Sequence, residues 1–145
     1  MKHFLTVLIV LCISLMMDSL FSQGVKSFKV IVNEENSVSA LTKDNVSNYF
    51  LKKTIKWDNG SKIEPVDLGA DSDIRKSFSE NIHGKSVSAI KAYWQKKIFS
   101  GKGIPPSEKS NDAEVLAFVK SKPGAIGYVS AGASTNGVKV VKITD

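Results

Sequence analysis

Short apolar runs separated by polar turns predict the first elements of this chain. Phe28–Val32 combines aromatic and β-branched residues and predicts a strand, and the polar segment Asn33–Ser39 predicts a loop. Thr42 is placed to cap a helix that runs to about Leu51. The apolar residues of this helix share one face: Leu41, Val46, Tyr49 and Phe50. A strand followed by a helix therefore begins the regular structure.

A turn and a second strand come next. Asp58–Gly60, with the sequence Asp-Asn-Gly, has the composition of a tight turn. Trp57 either packs beneath this turn or lines a ligand site, and the first role is the expected one because aromatic residues supply much of a small core. Ile63–Val66 predicts the second strand.

The segment Gly69–Phe78 is the strongest candidate for chemistry in the sequence. Ser72 stands where a helix N-cap is expected, and Asp73 falls in the first turn, where a carboxylate complements the helix dipole. Arg75 follows at once, and the helix is expected to end near His83 and Gly84. A glycine turn, a serine cap and an early arginine predict an anion-binding helix N-terminus. The alternative is that Ser72 is only a cap and Arg75 a solvated surface charge.

The rest of the chain continues the alternation of helices and strands. Ser86 caps a predicted helix with apolar residues at steps of three and four: Val87, Ile90, Tyr93, Trp94 and Ile98. Asn111 and Glu114 have capping-box spacing at the start of a helix over Asp112–Ser121. The remaining elements are a loop over Gly101–Lys109, a strand over Ala125–Val129, a turn-rich link over Gly132–Gly137 and a strand over Val138–Ile143. This order predicts an α/β fold whose mostly parallel sheet is flanked by helices.

The first 22 residues have the pattern of a secretory signal peptide. Lys2 precedes the apolar run Phe4–Met17, which is short for a membrane span of about 20 residues, and small residues follow it. Cleavage is expected after Ser22, which leaves residues 23–145 as a single domain. An uncleaved membrane anchor is the alternative. Cys12 lies inside the apolar run and follows a leucine rather than a small residue, so lipidation is not expected. The sequence thus predicts a periplasmic protein without stable membrane insertion.

Charge and composition exclude several function classes. The net charge is +6, and it comes from lysine because Arg75 is the only arginine. Nucleic-acid readers use arginine and stacking aromatics in a basic context, so no nucleic-acid partner is expected. The predicted domain lacks cysteine and has one histidine, His83, expected to be structural at a helix end. No nucleophile motif, metal cluster or dinucleotide loop is present, so neither an enzyme, a cofactor nor a metal site is expected.

The order of motifs resembles the phosphate ABC transporter substrate-binding proteins, within the type II periplasmic-binding-protein superfamily. It is similar to a short subgroup of about one lobe in length. The resemblance extends over roughly Phe28–Ala131. The segments that carry it are Val30–Asn33, Val38–Thr42, Tyr49–Leu51, Trp57, Asn59-Gly60, Gly69–Phe78, Tyr93-Trp94, Ile98–Gly103, Pro105-Pro106 and Pro123–Tyr128.

The resemblance implies the fold of a single lobe and a site at the start of one helix. In the full-length receptors two lobes close on phosphate, and a Ser-Gly-Thr run at a helix N-terminus forms part of the grip. Ser72, Asp73 and Ile74 fall at that run here and Arg75 follows, so only the serine matches. The implied ligand-binding residues are Ser72, Asp73, Ile74 and Arg75, with Asp71, Ser37 and Ser39 as further candidates.

Two functions follow as expectations. The first is an exported phosphate- or oxyanion-binding protein that works with an ABC permease, a second lobe or another protein. Asp71 or Asp73 then accepts the proton that phosphate still carries at neutral pH, unless Asp73 only complements the helix dipole. The second is an interaction module that kept the fold without the ligand and docks a partner or self-associates.

Overall fold

Residues 26–145, the part of the chain that the computed structural model describes, form a six-stranded sheet with helices on both faces. The strands are β1 (Phe28–Asn33), β2 (Ala40–Thr42), β3 (Glu64–Leu68), β4 (Ser107–Lys109), β5 (Ala125–Ser130) and β6 (Val138–Thr144). The helices are α1 (Lys43–Phe50), α2 (Asp73–Phe78), α3 (Val87–Phe99) and α4 (Asp112–Ser121), and a π-helical turn, Ser79–His83, continues α2.

The predicted signal peptide, residues 1–22, lies outside the described residues. Cys12 and the cleavage site after Ser22 also lie outside them. Across residues 26–145, none of the helices combines the length and the apolar character that crossing a bilayer requires.

The sheet has the strand order β2-β6-β1-β5-β3-β4. β2 is parallel to β6, and β3 is parallel to both β5 and β4. β1 is antiparallel to β5 and to β6, with Ile31 opposite both Gly127 and Val140. Five strands therefore run in one direction and β1 runs against them. The mostly parallel α/β sheet of the prediction is confirmed, with one central reversed strand that the sequence pattern did not indicate.

Helix α4 covers one face of the sheet. Asn33 donates its side-chain amide to the carbonyl of Val119 at 2.8 Å, which ties the end of β1 to this helix. A β-carbon added to Gly127 would lie 2.8 Å from Val66 and 2.9 Å from Val115. Such distances are shorter than a van der Waals contact, so the helix approaches β5 closely only because residue 127 has no side chain.

The other face is covered by α1, α2 and the π-helical turn around a cluster of aromatic rings. Phe78 stacks on Tyr128 with the ring centroids 3.8 Å apart. Phe50 contacts both rings, and Phe28 packs edge-on against Phe78. Phe50, Phe78 and Tyr128 are fully buried. Ring pairs of this kind add about 0.5–1.5 kcal/mol each beyond the burial of their surface.

The predicted helix starts are confirmed by hydrogen bonds from the first turns to the capping side chains. Thr42, Ser72, Ser86 and Asn111 are all N-caps that accept a backbone N–H. Gly84 ends the π-helical turn at φ +62° and confirms the predicted C-cap. Trp57 is buried, as predicted, and donates its indole N–H to the carbonyl of Gly124 at 3.0 Å.

Three details of the sequence prediction are wrong. Leu41 was placed with the apolar face of the first helix, but Ala40–Thr42 is a short strand that pairs with β6 at the sheet edge. Ser107–Lys109, placed inside a loop, is a strand that pairs with β3. Ile98 was assigned to the apolar face of its helix but is 53% exposed, since α3 packs through Ile90 and Trp94.

Candidate functional site

The segment after β3 forms the first half of a small depression. The backbone N–H of Gly69 donates to Lys109 at 3.0 Å, and that of Ser72 donates to Gly69 at 3.0 Å, so the chain turns directly from the strand into α2. The hydroxyl oxygen of Ser72 accepts the N–H of Arg75 at 3.2 Å. The N-cap role predicted for Ser72 is therefore present, just after the end of β3.

The start of α3 forms the second half. The hydroxyl of Ser79 donates to the carbonyl of Lys85 at 2.7 Å and holds the connection between the π-helical turn and α3. Ser86 then caps α3 by accepting the N–H of Ala89 at 3.1 Å. A depression of about 210 Å³ lies between the two helix starts. Its lining residues are Ala70, Asp71, Ser72, Asp73, Lys76, Glu80, Ser86, Val87 and Ser88.

The depression, called here the two-helix depression, combines backbone donors with charges of both signs. The first-turn N–H groups of a helix have no intrahelical partner, so two sets of donors open on it. Lys76 contributes a cation, and Asp71, Asp73 and Glu80 contribute carboxylates. Lys26 contacts Asp73 at 2.8 Å, and this bond and the lysine charge hold the pKa of Asp73 below its ordinary value. Asp73 is therefore ionised at neutral pH and paired with Lys26.

Arg75, predicted to contact the anion, does not line this depression. Its side chain is 5% exposed and points back under β3. Nη1 donates to the carbonyl of Leu68 at 2.6 Å and to Glu108 at 2.9 Å, and Nε lies 3.3 Å from Asp67. The alternative of a solvated surface arginine is also wrong, because the guanidinium is buried and paired. Ile74, the residue at the threonine position of the resembled motif, is likewise absent from the lining.

The buried pair of Arg75 and Asp67 carries strong electrostatic effects. Burial raises the pKa of Asp67 to about 6, although the charge of Arg75 and a hydrogen bond from Tyr128 act against that rise. Burial would lower the pKa of Arg75, but Asp67 and Glu108 more than offset it and raise the pKa. Burial and the neighbouring carboxylate raise the pKa of Tyr128. Arg75 is thus the counter-ion of a buried carboxylate.

Ser37 and Ser39, two of the further ligand-binding candidates, lie elsewhere. They precede β2, which is four strands away from β3 in the sheet. At about 4.8 Å per strand this separation is on the order of 19 Å. Both serines line another depression, of about 500 Å³, together with Asn36, Asn45, Trp57 and Asp58. The structure therefore does not bring Ser37 and Ser39 together with Ser72.

His83 takes the structural position that the sequence analysis expected. Its Nδ1 shares a hydrogen bond of 2.7 Å with the hydroxyl of Ser47, and its ring packs edge-on against Phe78. Burial, with the charges of Arg75, Lys85 and Lys53, lowers the pKa of His83 to about 4. The imidazole is therefore neutral at physiological pH and joins α1 to the π-helical turn.

Sequence reasoning missed the contribution of α3 to the depression. Ser86 was identified as a helix cap, and Lys76, Glu80 and Ser88 were not singled out. Their proximity depends on the connection over Gly84 and Lys85, which no local pattern encodes. Within residues 26–145, no three His, Cys, Asp or Glu side chains are grouped so that they could hold a metal ion.

Comparisons with known proteins identify the fold. No protein-family model matches the chain, and no curated protein is similar enough in sequence to match. Among solved structures, an ABC-type phosphate transport receptor from Vibrio cholerae aligns with a TM-score of 0.65 at 20% identity, over 81% of this chain and 46% of its own. A phosphate ABC transporter substrate-binding protein with bound phosphate from Clostridium perfringens aligns with a TM-score of 0.65 at 19% identity, over 81% of this chain and 45% of its own. PstS from Borrelia burgdorferi aligns with a TM-score of 0.57 at 18% identity, over 83% of this chain and 48% of its own.

These alignments confirm the expected fold. The described part of the chain has the α/β architecture of the substrate-binding proteins of phosphate ABC transporters, and the chain spans less than half of the length of each. The fold of a single lobe is consistent with that span.

Proposed function

We propose that this chain is an exported oxyanion-binding protein, that phosphate is its ligand, and that the anion binds in the two-helix depression. The observation that carries the proposal is that two serine-capped helix starts, at Ser72 and Ser86, open on one depression. Helix N-termini present free N–H groups and the positive end of the helix dipole, which favour an anion. Solved proteins of the same fold include a receptor with bound phosphate.

The donors around the depression suit a tetrahedral oxyanion. Asp73 and Val87, which line it, carry first-turn backbone N–H groups, and Ser88 and Lys76 in the same lining can donate from a hydroxyl and an ammonium. A volume of about 210 Å³ is sufficient for an inorganic anion with part of its hydration shell. Because the depression is open to water, screening weakens these interactions, and affinity should fall as salt is added.

The carboxylates of the depression determine which anions the site prefers. Phosphate still carries a proton at neutral pH, so its P–OH group can donate a hydrogen bond to an ionised carboxylate such as Asp71 or Asp73. Sulfate has no proton to donate and is repelled by the same groups. A site with these side chains is therefore expected to prefer phosphate and arsenate to sulfate.

Export and partners belong to the same proposal. Residues 1–22 act as the signal peptide, so residues 23–145 function in the periplasm without a lipid anchor. The other side of the site is supplied by a second lobe, another protein or an ABC permease, since the depression itself is open to water.

Titration calorimetry on the purified protein tests the proposal. Ser72→Asp keeps a good N-cap but places a negative charge in the depression, so phosphate affinity should fall at least about tenfold while the thermal midpoint holds. Asn111→Asp makes a comparable cap exchange on α4, away from the depression, and should leave binding unchanged. Saturable phosphate binding that both variants retain equally would refute the site. A flat titration for phosphate and arsenate would refute the function.

A second candidate function, a partner-docking module without a small ligand, is favoured by one observation. Phe99 is 98% exposed at the end of α3, next to the half-exposed Ile98. A large aromatic side chain in water is unfavourable and marks an interaction surface when it lies beside other apolar groups. For this candidate, Phe99→Ser should abolish self-association or partner capture in sedimentation experiments while phosphate titrations remain flat for the unaltered protein.

A further inference from the structure

An apolar groove lies at the opposite end of β3 from the two-helix depression. It has a volume of about 420 Å³, within the range of small-molecule sites. Ile63, Pro65 and Phe118 contribute apolar surface, and the exposed side chains of Ile55 and Ile104 flank it. Because β3 spans Glu64–Leu68, the two features are separated by the length of this strand, about 13 Å.

Lysine side chains surround this apolar groove. Lys52, Lys56 and Lys62 all line it, and none of them forms an ion pair with a carboxylate of residues 26–145. The one carboxylate in the lining, Glu64, is paired with Lys122 at 3.6 Å. The groove therefore combines an apolar interior with an uncompensated positive rim.

The lysines are held close to each other by the backbone. Residues Lys56 and Lys62 pair across an antiparallel bridge, and the N–H of Ile63 donates to Ile55 at 2.9 Å. Burial, together with the charge of Lys62, lowers the pKa of Lys52. An anion that binds between these positive charges reduces the repulsion between them.

Lys52 also has an unusual backbone conformation. Its φ is +54°, and it is the one non-glycine residue in the left-handed region among residues 26–145. It follows the C-cap Leu51 of α1, at the position where glycine is the usual residue. A lysine there costs roughly 1 kcal/mol relative to glycine. Departures from a local rule are typical of functional positions, where the side chain is retained for its chemistry.

We propose that the groove binds a small amphipathic anion, with an aliphatic or aromatic body against Ile63, Pro65 and Phe118 and an acidic head group between Lys52 and Lys62. The apolar surface supplies most of the affinity, and the lysines determine the sign of the head group. This site shares no lining residue with the two-helix depression, so it does not depend on the proposed phosphate function.

Decanoate and decyltrimethylammonium, which have alkyl chains of similar length and head groups of opposite charge, are the probes. Each is titrated below its micelle concentration into the purified protein, and amide shifts are followed by NMR. Decanoate binding should saturate, and the amide shifts that it causes should be confined to residues around Ile55, Ile63 and Ile104. Decyltrimethylammonium should cause no amide shifts.

Three variants test the residues. Lys52→Gly removes the charge and places glycine at φ +54°, so the thermal midpoint should hold or rise while decanoate affinity falls about threefold or more. Lys62→Gln should weaken binding similarly, and Lys102→Gln, an exposed lysine outside the groove, should not. Ile104→Ser should weaken binding, and Ile98→Ser is its control.

Several results would overturn the assignment. The assignment fails if decanoate does not saturate the protein, or if decyltrimethylammonium binds as tightly as decanoate. It also fails if Lys52→Gly and Lys102→Gln bind decanoate with equal affinity. Saturable binding of an acidic apolar peptide in place of decanoate would also overturn it, in favour of a protein partner. Because Lys52→Gly does not strain the fold, a loss of affinity in that variant is not a folding defect.

Discussion

The Nε atom of Arg75 lies 3.3 Å from the Oδ1 atom of Asp67, and both side chains are almost completely buried. The two residues belong to α2 and β3, so the pair joins the first helix of the two-helix depression to the sheet. Tyr128 from β5 donates its hydroxyl to the same carboxylate. The orientation of α2, and with it the position of Ser72, therefore depends on a buried charge pair.

Removal of the arginine charge should strongly destabilise the protein. Arg75→Met leaves Asp67 buried without its cation, and breaking a buried pair in this way costs about 3–5 kcal/mol. Glu108→Gln removes only the partly exposed partner and should cost less than about 1 kcal/mol. Urea denaturation of both variants checks the difference. Equal stabilities would show that Arg75 is not the counter-ion of Asp67.

Loss of the Tyr128 hydroxyl should alter the ionisation of Asp67. The hydroxyl donates to Asp67 and accepts the N–H of Leu68 at 3.2 Å, so Tyr128→Phe leaves two buried polar groups with fewer partners. Stability should fall by about 1–3 kcal/mol. Because this hydrogen bond lowers the pKa of Asp67, the carboxyl should titrate above about 6 in the variant. Carbon-detected NMR titration of the side-chain carboxyl measures it, and an unchanged or lower pKa would contradict the assignment.

His83 should make the protein less stable in acid. Its pKa is about 4 in the fold and 6.5 ordinarily, so between these values the unfolded chain binds more protons and stability falls as the pH falls. The contribution is about 3 kcal/mol across that window. Asp67 acts in the opposite direction: its pKa is raised from 3.8 to about 6, so the folded state binds more protons and acid stabilises it.

The variant His83→Asn separates the two effects. Asparagine can keep the hydrogen bond to Ser47 but does not titrate, so the variant should gain stability relative to the unaltered protein as the pH falls from 6.5 to 4. Other titrating groups contribute equally to both curves and cancel in the difference. Parallel stability curves in denaturant at a series of pH values would contradict a neutral, buried His83.

A methyl group at residue 127 should disturb the packing of α4. A β-carbon there lies 2.8–3.2 Å from Val66, Val115 and Val119, so Gly127→Ala overpacks the interface. Overpacking of this kind costs about 1–3 kcal/mol. Gly132→Ala is the matched control because a β-carbon at that position contacts nothing within 4 Å. Thermal denaturation of both variants checks this, and equal midpoints would show that α4 moves away without cost.

Local patterns predicted most of the elements because each of them has its own chemical signature. Ser72, Ser86 and Asn111 cap helices through side chains that few other residue types can replace. The strands β2 and β4 were missed because each has only three residues, and their pairing partners are distant in sequence. The strand β1 was predicted, but its antiparallel direction was missed because strand direction depends on tertiary connections.

The lining of the two-helix depression was predicted only where it comes from one segment. Ser72, Asp71 and Asp73 lie next to one another in the sequence and line the same depression. Ser86 and Ser88 join them through folding of the intervening residues, which spacing along the chain does not reveal. Arg75 was assigned to the anion because charge alone was visible in the sequence. Its burial beside Asp67 depends on β3 and β4 lying beneath α2.

Amide NMR spectra recorded during a phosphate titration test the central claim most directly. Binding in the two-helix depression predicts saturable shifts at the N–H groups of Asp73, Val87 and Ser88, with much smaller shifts for sulfate at equal ionic strength. The amides near Ser37 and Ser39 should not move. Shifts centred on those two serines, or none at either helix start, would contradict the account.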